Sequence, residues 1–265
     1  MTNPTFTEWL TLIEDRSAAR RAAVDEAGLT ARVPGCPDWS VRDLVTHLGE
    51  VQLFWAAAVT AGPADGPPGE DQVDRTPSDD LMAWSAGATV ALLDALRAAG
   101  PERPCWTWWP ESGAPMTSGA VARHQVQEAG VHAFDAQEAA SVAEPLPDAV
   151  AADGMGEFLT VGMASMGPWP HEAGSVALLA DGGPAWVVRL SSDGARAVEA
   201  GAVDGAGAVD GPGGVDGAQA RVRGTASDLV LALYGRQLAG ELVLDGDEEL
   251  ARQLLHWPQS GEGTE

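Results

Sequence analysis

The chain has 265 residues and a formal net charge of −24, and 45% of its residues are hydrophobic. This length and apolar content suffice for two domains with buried cores. The excess of acidic residues excludes polyanionic partners, namely nucleic acid and anionic membranes, because these bind positively charged surfaces. The N-terminus lacks a secretory signal pattern and no long apolar run occurs, so we expect a cytoplasmic protein. No exposed apolar stripe or heptad seam stands out, so we expect a monomer.

The first two helices are predicted from apolar spacing and from the residues at their ends. Residues 5–28 carry apolar side chains at near-helical spacing. The following segment, VPGCPDW, is expected to be a loop because its prolines and glycine interrupt a helix. Ser40 and Asp43 then form a capping-box pattern. This pattern predicts a second helix that runs to about Gly62.

The next segments predict three more helices and a loop rich in tryptophan. A polar Pro/Gly-rich stretch covers 62–76, and helices are expected over about 78–99, 118–140 and 148–163. Trp106, Trp108 and Trp109 lie together in the loop that precedes the fourth helix. They are expected either to line the mouth of a site or to seal the end of the bundle.

The pattern changes after Pro170. SVALLA and AWVVRLS, separated by DGGP, predict a β-hairpin, and ARAVEA and ARVRG predict further strands. A Val-Asp-Gly repeat over 201–217 predicts a flexible surface loop. Thr225 and Asp228 predict another helix start, and DEELARQLLHW predicts a final helix. We therefore expect an α + α/β fold, with a helical bundle over residues 1–168 and a small mixed α/β domain over 169–265.

Candidate metal ligands come from the predicted second and fourth helices. His124, Glu128 and His132 are spaced by four residues, so they form a column on one helix face. With His47 from a facing helix, Glu128 and His132 make a His₂Glu set that is typical of catalytic zinc. On spacing alone this indication is weak, because a buried structural histidine is the commoner alternative at any one of these positions.

The surrounding residues resemble the mycothiol-dependent maleylpyruvate isomerase family, a branch of the DinB-like metal-binding four-helix bundles. The family pattern Trp-Ser/Thr-Val-x-Asp-Leu-Val-x-His-Leu is matched from Trp39 to Leu48, with His47 as the histidine. The second motif, Glu-x-x-x-His followed by an aromatic residue and Asp, is matched by Glu128, His132, Phe134 and Asp135. GTASDLVLALYGR followed by LDGD resembles the small C-terminal domain of this family.

The resemblance implies the metal site and the cosubstrate. It implies that His47, Glu128 and His132 bind a divalent metal, with zinc as the expected ion. It also implies that mycothiol is the low-molecular-weight thiol cosubstrate, activated as thiolate to attack a small-molecule electrophile. In the reaction for which the family is named, the thiolate adds to a conjugated double bond, the bond rotates, and elimination gives the other isomer.

Three functions follow from this site. The first is a mycothiol-dependent enzyme, either a cis–trans isomerase or an S-transferase. The second is a metal-dependent hydrolase of the same bundle type, and the third is a non-enzymatic stress protein that binds a metal or a small ligand. The family often has His before the ligand Glu and Arg after the ligand His, whereas this chain has Gln127 and Ala133. These departures leave the exact reaction open and favour the transferase slightly.

Several further residues have two interpretations each. Arg221, Arg223 and Trp108 are candidates for binding the thiol or substrate, but the arginines also fit a solvated strand face. His124 is expected to be solvated rather than a partner of Glu128. Asp135 either supports a ligand or is a solvated carboxylate. Glu50 is a possible acceptor for the His47 imidazole.

Overall fold

The structure is a computed structural model that describes residues 4–204, 209–210, 214–236 and 240–260. The chain forms two compact units. The N-terminal unit comprises Pro4–Pro110 and Ala114–Leu146, and the C-terminal unit comprises Glu111–Gly113 and the chain from Pro147 onward. The compact units divide about twenty residues before the expected domain boundary at 168/169 because the fifth helix packs with the C-terminal elements. The boundary at 168/169 itself stays a prediction.

The N-terminal unit is a bundle of four helices, as expected. Within it α1 packs against α4, and α2 packs against α3. Three of the helices begin at a hydroxyl side chain that accepts from a backbone amide, and the capping box of Ser40 and Asp43 is confirmed. The helices are α1 (Phe6–Ala27), α2 (Val41–Ala61), α3 (Leu81–Ala99) and α4 (Ser118–Ala139).

The fourth helix lies in the interior of this unit. Most of its residues are buried, including polar ones such as Gln125, Gln127 and Asp135. A helix that is buried on most of its faces is held by its neighbours on several sides. The polar side chains that α4 carries are therefore fixed in position, which is what a site built on this helix requires.

The segment before α2 differs from the expected loop. Arg32–Val33 (β1) and Cys36–Ser40 (β2) pair as a short antiparallel ribbon. Val33 is fully buried against the first turns of α2, and Trp39 packs on the same cluster. Proline is compatible with a short edge strand, so Pro37 does not prevent this pairing. The ribbon delivers the chain to the capped start of α2.

In the C-terminal unit, the described residues form a mixed sheet and three α-helices. α5 (Asp148–Glu157) continues into a π-helical turn (Phe158–Gly162) and a 3-10 turn (Met163–Ser165), and it packs against α6. The expected helix over 148–163 is thus present but changes its hydrogen-bond pattern near its end. The other elements are β3 (Gly174–Ala180), β4 (Pro184–Ser191), β5 (Gly194–Val203), β6 (Val209–Asp210), β7 (Ala220–Gly224), α6 (Ala226–Leu233), β8 (Val243–Gly246) and α7 (Glu248–Ser260).

The six strands are ordered β6-β5-β4-β3-β7-β8, and all neighbours are antiparallel except β3 and β7. The predicted hairpin at DGGP joins β3 and β4, with Gly182 in the turn at a φ of 66° that favours glycine. Small and branched side chains such as Ala177, Leu179 and Val187 form a core on the sheet. These features confirm the α + α/β fold class.

Part of the predicted repeat loop lies outside the described residues. Of 201–217, the structure describes 201–204, 209–210 and 214–217, and Gly201, Ala202 and Val203 belong to β5. The flexible loop expected there is not tested by the remainder. Among the described residues, no helix has the length and apolar character needed to cross a membrane. The cytoplasmic location stays a prediction.

Candidate metal centre

His47, Glu128 and His132 come together between α2 and α4. His132 Nε2 lies 3.5 Å from Glu128 Oε2, and His47 Nε2 lies 3.9 Å from the same oxygen. One possible ligand atom from each residue lies within 4.8 Å of the others. The two residues on α4 are one turn apart, as their spacing predicted, and His47 contributes the group from the facing helix.

The carboxylate of Glu128 is ionised in this setting. Burial by itself raises its pKa, but the His132 imidazole and the nearby His124 and His47 lower the pKa to about 2. Its Oε2 atom is buried and makes no hydrogen bond of normal geometry. A buried carboxylate oxygen that faces two imidazole nitrogens fits the donor set of a cation site.

Asp135 fixes the orientation of His132. Its Oδ2 lies 2.9 Å from His132 Nδ1, and its side chain is fully buried. Burial lowers the pKa of His132, but the Asp135 and Glu128 carboxylates raise it above its ordinary value overall. A carboxylate that accepts from Nδ1 leaves Nε2 directed at the opposite side, toward Glu128. Of the two interpretations of Asp135, the structure contradicts the solvated carboxylate, because this side chain is buried and holds His132.

Trp39 covers the two imidazoles. Its ring centroid lies 4.8 Å from that of His47 and 6.1 Å from that of His132, and the two histidine rings meet edge to face at 5.1 Å. Trp39 comes from β2, so the ribbon that the sequence did not predict contributes directly to this site.

Glu50 makes no hydrogen bond or ion pair within the described part of the chain, and the expectation that it orients His47 is wrong.

His124 is buried rather than solvated, so that expectation is wrong as well. Only 9% of the residue is exposed, and its Nε2 lies 3.9 Å from Glu128 Oε1. The rings of Trp55, Trp108 and Trp109 surround it at centroid distances of 5.3–5.9 Å. The three tryptophans of this loop are evident in the sequence, but their positions do not indicate which histidine they cover.

The tryptophan-rich loop is anchored to the end of the bundle. The backbone N–H of Trp106 donates to the carbonyl of Gly62 at the end of α2, and the backbone N–H of Cys105 donates to the carbonyl of Met116. Trp109 is fully buried and donates from Nε1 to the carbonyl of Pro115, whereas Trp108 is 37% exposed. Trp109 therefore seals the bundle, whereas Trp106 is partly buried and Trp108 is the most exposed of the three indoles.

Arg221 and Arg223 belong to the C-terminal unit and share one face of β7, as the alternation predicted. Arg221 Nη1 lies 3.2 Å from Asp245 Oδ2, and Arg223 Nε lies 2.5 Å from Asp181 Oδ1. Both guanidinium groups are about one-third exposed and paired with carboxylates. Their role in binding thiol or substrate, like that of Trp108, stays a prediction.

The family of the helical unit is decided by its sequence. Residues 10–137 match the family model described as "Mycothiol maleylpyruvate isomerase N-terminal domain". Over these residues the chain resembles that family. The match includes all three residues of the candidate metal centre and both flanking motifs. It ends before Pro147, where the main segment of the C-terminal unit begins, so a family-type C-terminal domain stays a prediction.

Two solved structures share the fold over most of the chain. A crystal structure of the mycothiol-dependent maleylpyruvate isomerase is 14% identical, with a TM-score of 0.59 over 92% of this chain and 96% of that chain. A histidine-to-alanine mutant of the mycothiol-dependent maleylpyruvate isomerase is also 14% identical, with a TM-score of 0.56 over 88% and 91%. No curated protein matches the sequence significantly. These likenesses establish the fold, and the family assignment comes from the matched residues.

Proposed function

We propose that the protein is a thiol-dependent isomerase, that mycothiol is its thiol, and that His47, Glu128 and His132 bind a zinc ion. The observation that carries the proposal is the convergence of these three side chains inside the region that matches the family. The description of that family names mycothiol and an isomerase. The same words describe the two structures with this fold.

The donor set fits zinc. Zinc–ligand bonds of about 2.0–2.2 Å in tetrahedral geometry put ligand atoms roughly 3.4 Å apart. The separations of 3.5 and 3.9 Å from Glu128 Oε2 to the two imidazoles need only small side-chain adjustments to reach that value. Two histidines and one carboxylate leave a fourth position free, which is typical of catalytic rather than structural zinc sites. The buried Oε2 atom of Glu128 without a hydrogen bond supports the same assignment.

The protein's own residues prepare this centre. Zinc, when bound, supplies a positive charge that keeps a low-molecular-weight thiol in its thiolate form at neutral pH. Asp135 accepts from His132 Nδ1 and so presents Nε2 to the ion. Glu128 is already ionised and contributes negative charge. Trp39 packs against both imidazoles, which restricts their rotation and limits the access of water.

The use of the thiol distinguishes the candidate reactions. An isomerase returns the thiol after each turnover, whereas an S-transferase keeps the thiol sulfur in its product. A hydrolase of the same bundle type needs no thiol at all. Gln127 and Ala133, the departures that favoured a transferase, are both buried in α4 and give no independent support for it.

The proposal is tested with purified zinc-loaded protein, maleylpyruvate, and a range of mycothiol concentrations. We expect isomer formation that requires mycothiol while the total free thiol stays constant. The variant Glu128→Ala should lose this activity, and Glu50→Ala is a matched control because Glu50 makes no hydrogen bond or ion pair with any residue that the structure describes. Turnover that consumes one thiol per product would instead identify an S-transferase. Turnover without thiol would identify a hydrolase, and zinc binding without turnover on a panel of conjugated electrophiles would contradict the enzyme assignment.

A further inference from the structure

A group of polar side chains lies in the interior of the helical unit, apart from the candidate metal centre. Its members, here called the polar cluster, come from α1, α2 and α3, and none of them is more than 2% exposed. On α1 two of them take positions on the buried face beside Ile13 and Val24, where apolar residues are the rule. The cluster consists of Ser17, Arg20, Gln52, Ser85 and Thr89.

Hydrogen bonds connect the neutral members of the cluster. Gln52 Nε2 donates to Ser17 Oγ at 3.0 Å, and Thr89 Oγ1 donates to Gln52 Oε1 at 2.8 Å. Arg21 Nη1 donates to Thr89 Oγ1 at 3.1 Å. The amide of Gln52 thus has a partner on each side. These contacts hold three helices together, but none of them provides a negative charge to balance the cation of the cluster.

Arg20 is a buried cation for which the described residues provide no counter-ion. Its Nη2 donates to Ser85 Oγ at 2.5 Å, and its Nε and Nη1 atoms are buried without any hydrogen-bond partner. No carboxylate forms an ion pair with it among the described residues, and the neighbouring charge that acts on it is another cation, Arg21. Burial and Arg21 together lower the pKa of Arg20 to about 9, so the guanidinium remains charged at neutral pH.

The cluster has more hydrogen-bond donors than acceptors. A guanidinium has five N–H donors and no acceptor, and a serine hydroxyl that accepts one bond keeps its own proton to donate. Ser85 accepts from Arg20, and Ser17 accepts from Gln52. Buried charges in proteins are normally paired, because the loss of hydration must be offset by an opposite charge. A water molecule could satisfy these donors, but it would leave the positive charge uncompensated.

We propose that the polar cluster binds a small monovalent anion of the halide class, with chloride as the physiological ion, against the free N–H groups of Arg20. The side chains around the guanidinium are buried, which disfavours a larger anion. The anion accepts from the guanidinium and balances its charge inside the bundle. It stabilises the packing of α1 against α3 and takes no part in the chemistry at the metal centre.

The test is thermal unfolding of the full chain at constant ionic strength, with sodium gluconate replaced stepwise by sodium chloride. Gluconate is too large for the site, so it controls for general screening by salt. We expect the Tm of the wild type to rise by a few degrees and to follow the logarithm of chloride concentration. This chloride-dependent rise in Tm should disappear in Arg20→Met. It should persist in Arg97→Met, which removes an exposed cation from the same bundle. The same increment in Arg20→Met, or none in the wild type, overturns the proposal.

A second measurement covers the case in which Arg20→Met does not fold. Chloride-35 NMR of the wild type should show line broadening that added bromide reverses, since both halides compete for one site. An unchanged chloride line width at all protein concentrations means that the buried donors are hydrated, and it overturns the proposal without any variant.

Discussion

The carboxylate of Asp135 and the imidazole of His132 form a buried pair in which Oδ2 lies 2.9 Å from Nδ1. The two residues are one turn apart on α4, the most enclosed helix of the bundle. This pair leaves the other imidazole nitrogen facing Glu128 and, across the interface, His47. The candidate metal centre therefore has an outer partner that fixes the tautomer of one of its histidines.

The first prediction concerns this pair. Asp135→Asn replaces the carboxylate by an amide of similar shape and removes the negative charge that favours a proton on Nδ1. We expect the affinity for zinc to fall about 10- to 100-fold, the usual effect of losing such a partner. Competition against a chromophoric chelator measures the affinity, and Asp94→Asn, an exposed carboxylate on α3, is the control. Equal affinity in Asp135→Asn and the wild type would show that Asp135 does not orient the ligand.

The second prediction concerns the start of α2. Ser40 Oγ accepts from the backbone N–H of Asp43, and the Asp43 carboxylate accepts from the backbone N–H of Ser40. Ser40→Ala should lower the free energy of unfolding by about 1 kcal/mol at pH 7. The exposed Ser78, whose hydroxyl donates to a backbone carbonyl and caps no amide, provides the control Ser78→Ala.

The contribution of this cap depends on pH with a defined sign. Hydrogen bonds from Ser40 lower the pKa of Asp43 in the folded protein. The stabilisation from Asp43 is thus complete above its unfolded pKa of about 3.9 and is lost as the pH falls through the lower folded value. The difference between Ser40→Ala and the wild type in urea denaturation should therefore shrink below about pH 4. A constant difference down to pH 2 would contradict the assignment.

The third prediction separates two neighbouring tryptophans. Trp109 is fully buried, so Trp109→Ala leaves a cavity, which costs about 3–5 kcal/mol of unfolding free energy. Trp108 is 37% exposed, and Trp108→Ala should cost less than about 1.5 kcal/mol. Urea denaturation measures both values. Similar costs for the two variants would mean that the loop does not seal the bundle in the way described.

The fourth prediction concerns the two cysteines. Burial raises the pKa of the Cys105 thiol to about 11, although Arg103 acts in the opposite direction. The thiolate is the reactive form, and with this pKa only about one Cys105 thiol in a thousand is ionised at pH 8, so its reaction is slow. Cys36 is only partly buried. We expect a disulfide reagent to label one thiol of the native protein, none in Cys36→Ser, and two after denaturation; labelling of Cys36→Ser in the native state would contradict this.

The sequence predicted the helices of the bundle because their apolar spacing and their caps agree. The start of α2 at Ser40 depends on a local hydrogen-bond pattern that two residues encode. The ribbon of β1 and β2 was missed because two strands of two and five residues, one containing Pro37, carry no periodic signal. The π-helical turn after α5 was missed for a similar reason, since it is a change of hydrogen bonding within a continuing apolar run.

The candidate site was only partly predictable for a different reason. His47, Glu128 and His132 follow from helical spacing and from the family motifs, and the structure brings them together. The burial of His124 and Asp135 depends on which elements cover α4, and helical spacing within α4 does not contain that information. The unpaired charge of Arg20 is also a tertiary property, because an arginine on a predicted helix is ordinarily a surface residue.

The central claim is that His47, Glu128 and His132 form a zinc site, and the most direct test is the metal content of purified protein. Elemental analysis of the wild type should give close to one zinc per chain. The double variant His47→Ala, Glu128→Ala should contain almost none while keeping its helical circular dichroism. Wild-type protein that holds no metal and shows no rise in Tm with any divalent ion, or a double variant that retains the wild-type zinc content, would contradict the account.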